Sequence, residues 1–149
     1  MMMKKNFVPI LCFICISLFV NTQNTVAAER TIKVLDIETS TIFKEIKTNE
    51  EIDKEVENVI RAIKRVTVQA NPIPKQGYLI KIPLTKSLKI KNEWFEEIVS
   101  EVLIIYNPTT KDLGKIIFYT DENTPMFFDI EYNFAPIFKK LNINKVQTQ

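Results

Sequence analysis

Apolar and polar residues alternate with a period of two over much of the chain beyond residue 30, which is typical of half-buried β-strands. β-branched residues dominate these segments, as they do in strands generally. The first alternating segment, residues 31–47, is interrupted by a polar run at residues 38–41 and therefore predicts a β-hairpin. Further strands are predicted at residues 66–70, 78–84, 88–91, 101–106, 115–120 and 126–132, with a turn at 85–86.

One long segment has the period of an α-helix instead. Residues 48–65 place apolar side chains on one stripe, at Ile52, Val56, Val59, Ile60 and Ile63. A threonine at position 48 and a glutamate at position 51 have the spacing of a capping box, so we expect the helix to begin there.

A second, shorter helix is predicted near the end of the chain. Phe134, Ile137, Phe138 and Leu141 are spaced as one helical face, with Asn133 as the expected cap. The last residues, 142–149, are expected to form a frayed tail. Residues 92–100 fit either a short helix or a strand, and the pattern leaves this open.

The order of these elements is two strands, a helix, a cluster of further strands and a closing helix. Short connections between successive strands favour antiparallel pairing. The sequence therefore predicts an α+β domain of two layers, with a mainly antiparallel sheet of about six to eight short strands. One main helix and a short C-terminal helix would cover the sheet.

The first 28 residues have the order of a cleavable secretory signal. Lys4 and Lys5 precede an uncharged run at residues 7–20, and a polar stretch then leads to a small-residue site. We expect cleavage between Ala28 and Glu29, leaving residues 29–149 as a single domain. The alternatives are a retained membrane anchor, for which the run is short, or a buried core helix. Cleavage would leave a secreted or cell-envelope protein without a stable membrane anchor.

Cleavage also changes the composition. The whole chain carries 20 basic and 18 acidic residues, and loss of Lys4 and Lys5 leaves 18 of each, so nothing indicates a nucleic-acid partner. Both cysteines, Cys12 and Cys15, lie in the removed run, so no disulfide is expected. The chain has no histidine and two glycines, which excludes Ser-His-Asp and Cys-His catalysis, the usual zinc sites and glycine-rich nucleotide loops. The sequence predicts no catalytic set, no metal site and no cofactor.

Two acidic features have to be compared with simpler explanations. Asp36 and Glu38, two residues apart, could form a glycosidase-like carboxylate pair, but solvated strand residues explain them better. The run at residues 121–123 offers oxygen ligands for calcium, but it lacks the spacing of an EF-hand loop and is expected to be a polar turn.

Aromatic residues supply the remaining candidates. Trp94 and Phe95, with Phe127 and Phe128, could form a ligand platform, although core packing explains most aromatic side chains here. The segment 126–132 is rich in aromatic residues, and alternation sends Phe127 and Phe128 to opposite faces of the sheet. We expect a binding surface that includes Phe127, Phe128 and Tyr132, or an open sheet edge near them.

Three segments carry a resemblance to known proteins. The sequences TIKVLDIET at residues 31–39, GYLIKIPL at 77–84 and FYTDENTPMFFDIEY at 118–132 are similar to small exported proteins of Gram-positive spore-forming bacteria. This resemblance implies an exported protein and implies no activity.

Two classes of function follow from the sequence. The first is a non-enzymatic binding module that takes a protein, a peptide or a cell-wall component. The second is an extracytoplasmic hydrolase that depends on carboxylates. The first is favoured because the chain lacks a catalytic motif, and a cleft containing two inward carboxylates would favour the second.

Overall fold

A computed structural model describes residues 30–143, which form a seven-stranded antiparallel sheet with two helices on one face. This confirms the predicted α+β class. The strand order across the sheet is β2-β1-β4-β5-β6-β7-β3. The strands are β1 (Thr31–Asp36), β2 (Thr41–Lys47), β3 (Ile63–Val66), β4 (Tyr78–Lys91), β5 (Glu96–Tyr106), β6 (Leu113–Tyr119) and β7 (Pro125–Glu131), and the helices are α1 (Glu50–Arg61) and α2 (Ala135–Lys140).

The predicted hairpin is confirmed as β1 and β2, and the main helix follows it directly. The predicted capping box is wrong, because Thr48 lies just after β2 and its hydroxyl has no hydrogen-bond partner among the described residues; its amide donates to the carbonyl of Arg30 at 3.1 Å. Asn49 is the cap instead, and its side chain accepts a hydrogen bond from the amide of Ile52 at 3.0 Å. The helix ends at Arg61, earlier than expected, because Ile63 already pairs with β7.

β4 differs most from the prediction. A turn was expected at residues 85–86, but β4 is one strand of 14 residues with an irregular register between Pro83 and Leu88. The guanidinium of Arg30 donates to carbonyls within this irregular stretch, and the carboxylate of Asp53 accepts from the amide of Thr85 at 3.1 Å. Side chains from elsewhere thus satisfy the backbone groups that the ladder leaves unpaired.

Residues 92–100, left open by the sequence, form a tight turn followed by the start of β5. The side chain of Asn92 accepts hydrogen bonds from the amides of Trp94 and Phe95, each at 2.9 Å. The Phe95 ring is buried, with its centroid 4.9 Å from that of Phe118 and 5.9 Å from that of Phe128. The buried ring fixes this segment as part of the sheet.

The main core lies between the sheet and the helices. Ile52, Val56 and Val59 of α1 are fully buried there, as predicted for the helical stripe. The short closing helix is also confirmed. Residues 142 and 143 do not fray as predicted, because their amides donate to the carbonyls of Lys139 at 3.1 Å and of Phe138 at 2.9 Å. The rest of the predicted tail, residues 144–149, lies outside the described residues. The strand predicted at residues 66–70 lies earlier in the chain, as β3. Neither described helix is long and apolar enough to cross a membrane. The predicted signal peptide and the predicted cleavage site between Ala28 and Glu29 lie outside the described residues.

Candidate functional site: a cleft on the helix-free face

A row of seven side chains crosses the sheet on the face opposite the helices, one from each strand. Neighbours in this row are directly paired residues in the register, so all seven point to the same face. The row is apolar in the half near β2 and charged in the half near β3. In order from β2 to β3 it consists of Ile42, Leu35, Leu79, Ile105, Lys115, Asp129 and Arg65.

The charged half of the row is held together by one carboxylate. Asp129 accepts from the Nζ of Lys115 at 2.7 Å, from the Nε of Arg65 at 2.9 Å and from the Oγ1 of Thr67 at 2.8 Å. We call these four residues the ionic cluster. The Lys115 and Asp129 side chains are 18% and 23% exposed, whereas that of Arg65 is 71% exposed. Lys115 and Asp129 are therefore sheltered from solvent, whereas Arg65 is accessible to it.

The electrostatics of the ionic cluster keep Asp129 charged. Burial by itself would raise the pKa of this carboxyl, but hydrogen bonds from Lys115, Arg65 and Thr67, together with the charge of Lys115, lower the pKa of Asp129 to about 2. Each of these donors favours the charged form of the carboxylate. Asp129 is consequently ionised at any pH near neutrality.

A crossing segment, residues 67–77, connects β3 at the edge of the sheet to β4 near its middle. It must therefore pass three strands. It does so over the helix-free face, because four of its residues line one cleft together with Lys115 and Asp129 of that face. Ile105 on the same face is only 2% exposed. Ile105 belongs to the row and lies outside the helix-side core cluster. The crossing segment ends at Gly77, where φ is +121° and an added Cβ would lie 2.5 Å from the carbonyl oxygen of Tyr106.

A cleft of about 510 Å³ lies between the crossing segment and the charged half of the row. This volume is within the range of about 300–1,000 Å³ that small-ligand sites occupy. Its walls combine three charged side chains, amides and a hydroxyl, and an apolar part with two prolines. The lining residues are Arg65, Gln69, Asn71, Pro72, Pro74, Ile105, Asn107, Thr110, Leu113, Gly114, Lys115, Asp129 and Ile130.

The three residues predicted to bind are not brought together. Phe127 lies half-buried on the helix-free face, one position along its strand face from Asp129 and opposite Ile117. Phe128 is fully buried in the helix-side core and therefore belongs to no surface. Alternation in β7 thus separates the two phenylalanines as expected.

Tyr132 has a structural role on the helix side. Its hydroxyl donates to Oε2 of Glu55 in α1 at 2.6 Å, and its ring meets that of Phe134 edge-on with centroids 5.4 Å apart. Burial, followed by the hydrogen bond and the charge of Glu55, raises the pKa of Tyr132 above its ordinary value. This tyrosine ties α1 to the end of β7.

The acidic candidates also have local partners. Asp36 accepts hydrogen bonds from the amide and hydroxyl of Thr39 within the β1–β2 turn, and Glu38 is an exposed residue of that turn. The run at residues 121–123 is an exposed turn, and no cluster of three potential metal ligands occurs within residues 30–143. The sheet edges are β2, where Ile42 and Phe43 are each 47% exposed, and the four-residue β3. The open edge was predicted near β7, but β3 pairs with that strand, so β7 itself is not an edge. A binding role for the neighbouring edge strand β3 stays a prediction.

Sequence reasoning missed the ionic cluster. Alternation in β7 did place Asp129 on the face of Phe127, which was the available signal. Its partners are 64 and 14 residues away, at Arg65 and Lys115, and only the strand register identifies them.

Comparison with known proteins adds no family to this description. No protein-family model matches the chain, and neither curated proteins nor solved structures gave a match. The fold and the cleft therefore have to be interpreted from their own geometry.

Proposed function

We propose that this protein is an exported domain, secreted or held in the cell envelope, that binds a ligand without transforming it. The observation that carries the proposal is the cleft on the helix-free face, where a fixed ionic cluster adjoins an apolar wall. Convergent polar groups beside apolar walls are the usual composition of a ligand site. A protein, a peptide or a cell-wall component remains the proposed class of partner.

The chemistry of the cleft favours binding over catalysis. Asp129 is the one carboxylate among its lining residues, and three donors occupy its oxygens. A general acid or base acts best with a pKa near the working pH, whereas the pKa of Asp129 is about 2. A carboxylate-dependent hydrolase would need a second inward carboxylate in this cleft.

A steric block of the cleft tests the proposal. Asn71 lines the cleft and is exposed, so Asn71→Trp should fill part of it without changing the charge. Asn58→Trp, on an exposed position of α1 away from the cleft, is the matched control. The measurement is cosedimentation of the purified mature chain with the producing organism's isolated envelope fraction, as a function of protein concentration.

The expected result is weaker binding by Asn71→Trp, with Asn58→Trp equal to wild type and both variants melting normally. Equal binding by all three proteins would contradict a role for the cleft. Export is tested separately: N-terminal sequencing of the secreted form should begin at Glu29, and recovery of the full-length chain in the membrane would argue against cleavage.

A further inference from the structure

We infer that the ligand of the cleft carries an anionic group, a carboxylate or a phosphate, and that Arg65 binds this group. This inference rests on the proposed binding function and names the ligand class. Its basis is the charge balance of the cleft, the unoccupied donors of the arginine and the composition of the walls.

The charge balance leaves one positive charge without a partner. Arg65 and Lys115 are the two cations among the lining residues, and Asp129 is the one anion. All three belong to the ionic cluster, so their charges act at one place. An incoming anion would give the second cation a partner. The free-energy cost of ordering the two cations would be small, because the ionic cluster already holds them together.

Arg65 lines the cleft and has donors that no described residue occupies. Its Nε is engaged by Oδ2 of Asp129 at 2.9 Å, whereas its two terminal nitrogens make no hydrogen bond to any described residue. Asp129 thus holds the guanidinium at Nε, and the two terminal nitrogens form a planar pair of donors that a ligand can use. This geometry matches the two oxygens of a carboxylate or phosphate.

Lys115 strengthens the same site. Its ammonium lies 2.7 Å from Asp129 and is sheltered, with 18% of the side chain exposed. An ammonium has three donors, of which Asp129 takes one. A sheltered cation beside the arginine raises the local positive potential, since water screens it less than an exposed one.

The remaining walls indicate that the anion is attached to an organic body. Ile105, Leu113 and the two prolines of the crossing segment supply apolar area. Gln69 and Asn71 add amides on the exposed rim. A free inorganic ion would leave most of this area and of the cleft volume unused.

The test uses two pairs of small probes, each an anion with a neutral analogue. The mature chain is titrated by NMR with N-acetylglycine against N-acetylglycinamide, and with glycerol phosphate against glycerol. We expect saturable shifts in the cleft with the charged member of at least one pair and none with its neutral member. The pair that binds distinguishes a carboxylate ligand from a phosphate ligand, and binding should weaken as salt is added.

Variants then test the arginine. Arg65→Gln should lower the affinity for the bound probe at least about tenfold, because it removes a bidentate charged contact. Arg65→Lys keeps the charge without the planar pair of donors and should recover only part of the affinity. Arg61→Gln, which removes another exposed arginine outside the cleft, is the matched control and should bind as wild type. Melting temperatures verify that each variant is folded.

Three results would overturn the inference: equal binding of charged and neutral probes, wild-type affinity in Arg65→Gln, or no saturable binding of any probe. Failure of this inference and failure of the proposed function are distinguishable. If Asn71→Trp weakens envelope binding while Arg65→Gln does not, the cleft binds a ligand that is not anionic. If neither variant weakens it, the cleft is not the binding site.

Discussion

Replacing Asp129 by asparagine removes the negative charge that lies between Arg65 and Lys115 while keeping the shape of the side chain. In the folded protein this carboxylate accepts hydrogen bonds from both cations and from Thr67. A neutral amide at this position could not neutralise the two cations, which would then repel each other across the row. We therefore expect Asp129→Asn to lower the free energy of unfolding.

The magnitude follows from the shifted pKa. The environment lowers the pKa of Asp129 from 3.8 to about 2. At about 1.4 kcal/mol per pKa unit, the full shift corresponds to about 2 kcal/mol of stability. Because the Arg65 side chain is 71% exposed, solvent screening weakens its ion pair with Asp129. We therefore expect Asp129→Asn to lower the free energy of unfolding by about 1–2 kcal/mol. A carboxyl with a lowered folded pKa stabilises the protein above its unfolded pKa, and this contribution disappears as the pH falls toward 2.

Urea unfolding followed by the fluorescence of Trp94, the single tryptophan, measures this difference. The loss caused by Asp129→Asn should be full at pH 7 and about half as large at pH 3. Asp121→Asn, in the exposed turn between β6 and β7, is the matched control and should change stability by less than about 0.5 kcal/mol. A loss that is the same at both pH values, or no greater than that of the control, would refute the electrostatic explanation.

Five further substitutions test the packing. Phe128→Ala should lower the free energy of unfolding by about 3–5 kcal/mol, because Phe128 is fully buried. Phe127→Ala should lower it clearly less, because Phe127 is only half-buried. Equal losses in urea unfolding would contradict the assignment of the two side chains to opposite faces. Val59→Ala should lower the free energy of unfolding by somewhat less than the ~2–5 kcal/mol of buried Leu→Ala or Ile→Ala changes. The Val59→Asp variant should not fold, and circular dichroism would detect the loss of structure. Gly114→Ala should lower the free energy of unfolding by about 1–3 kcal/mol, since its Cβ would lie 2.6 Å from Cζ of Phe134 and 2.8 Å from the carbonyl oxygen of Ile105. A wild-type melting temperature would show that the ring and the backbone can both shift.

The sequence alone determined the elements whose signals are local. Alternation identified the β1–β2 hairpin and separated Phe127 from Phe128, because successive strand residues point to opposite faces whatever the neighbouring strands are. The helical period identified the buried stripe of α1, with Val56 and Val59, and the closing helix. The capping pattern at Thr48 was misleading, because the side chain of the next residue, Asn49, caps the helix.

Only the tertiary structure decided the irregular register of β4 and the position of the site. Thr85 was expected in a turn, and it stays in a strand because Asp53 and Arg30, distant in sequence, satisfy the backbone there. The cleft depends in the same way on register, which places Asp129 between Lys115 and Arg65. Register and strand order minimise exposed apolar area over the whole sheet, so no short stretch of sequence specifies them.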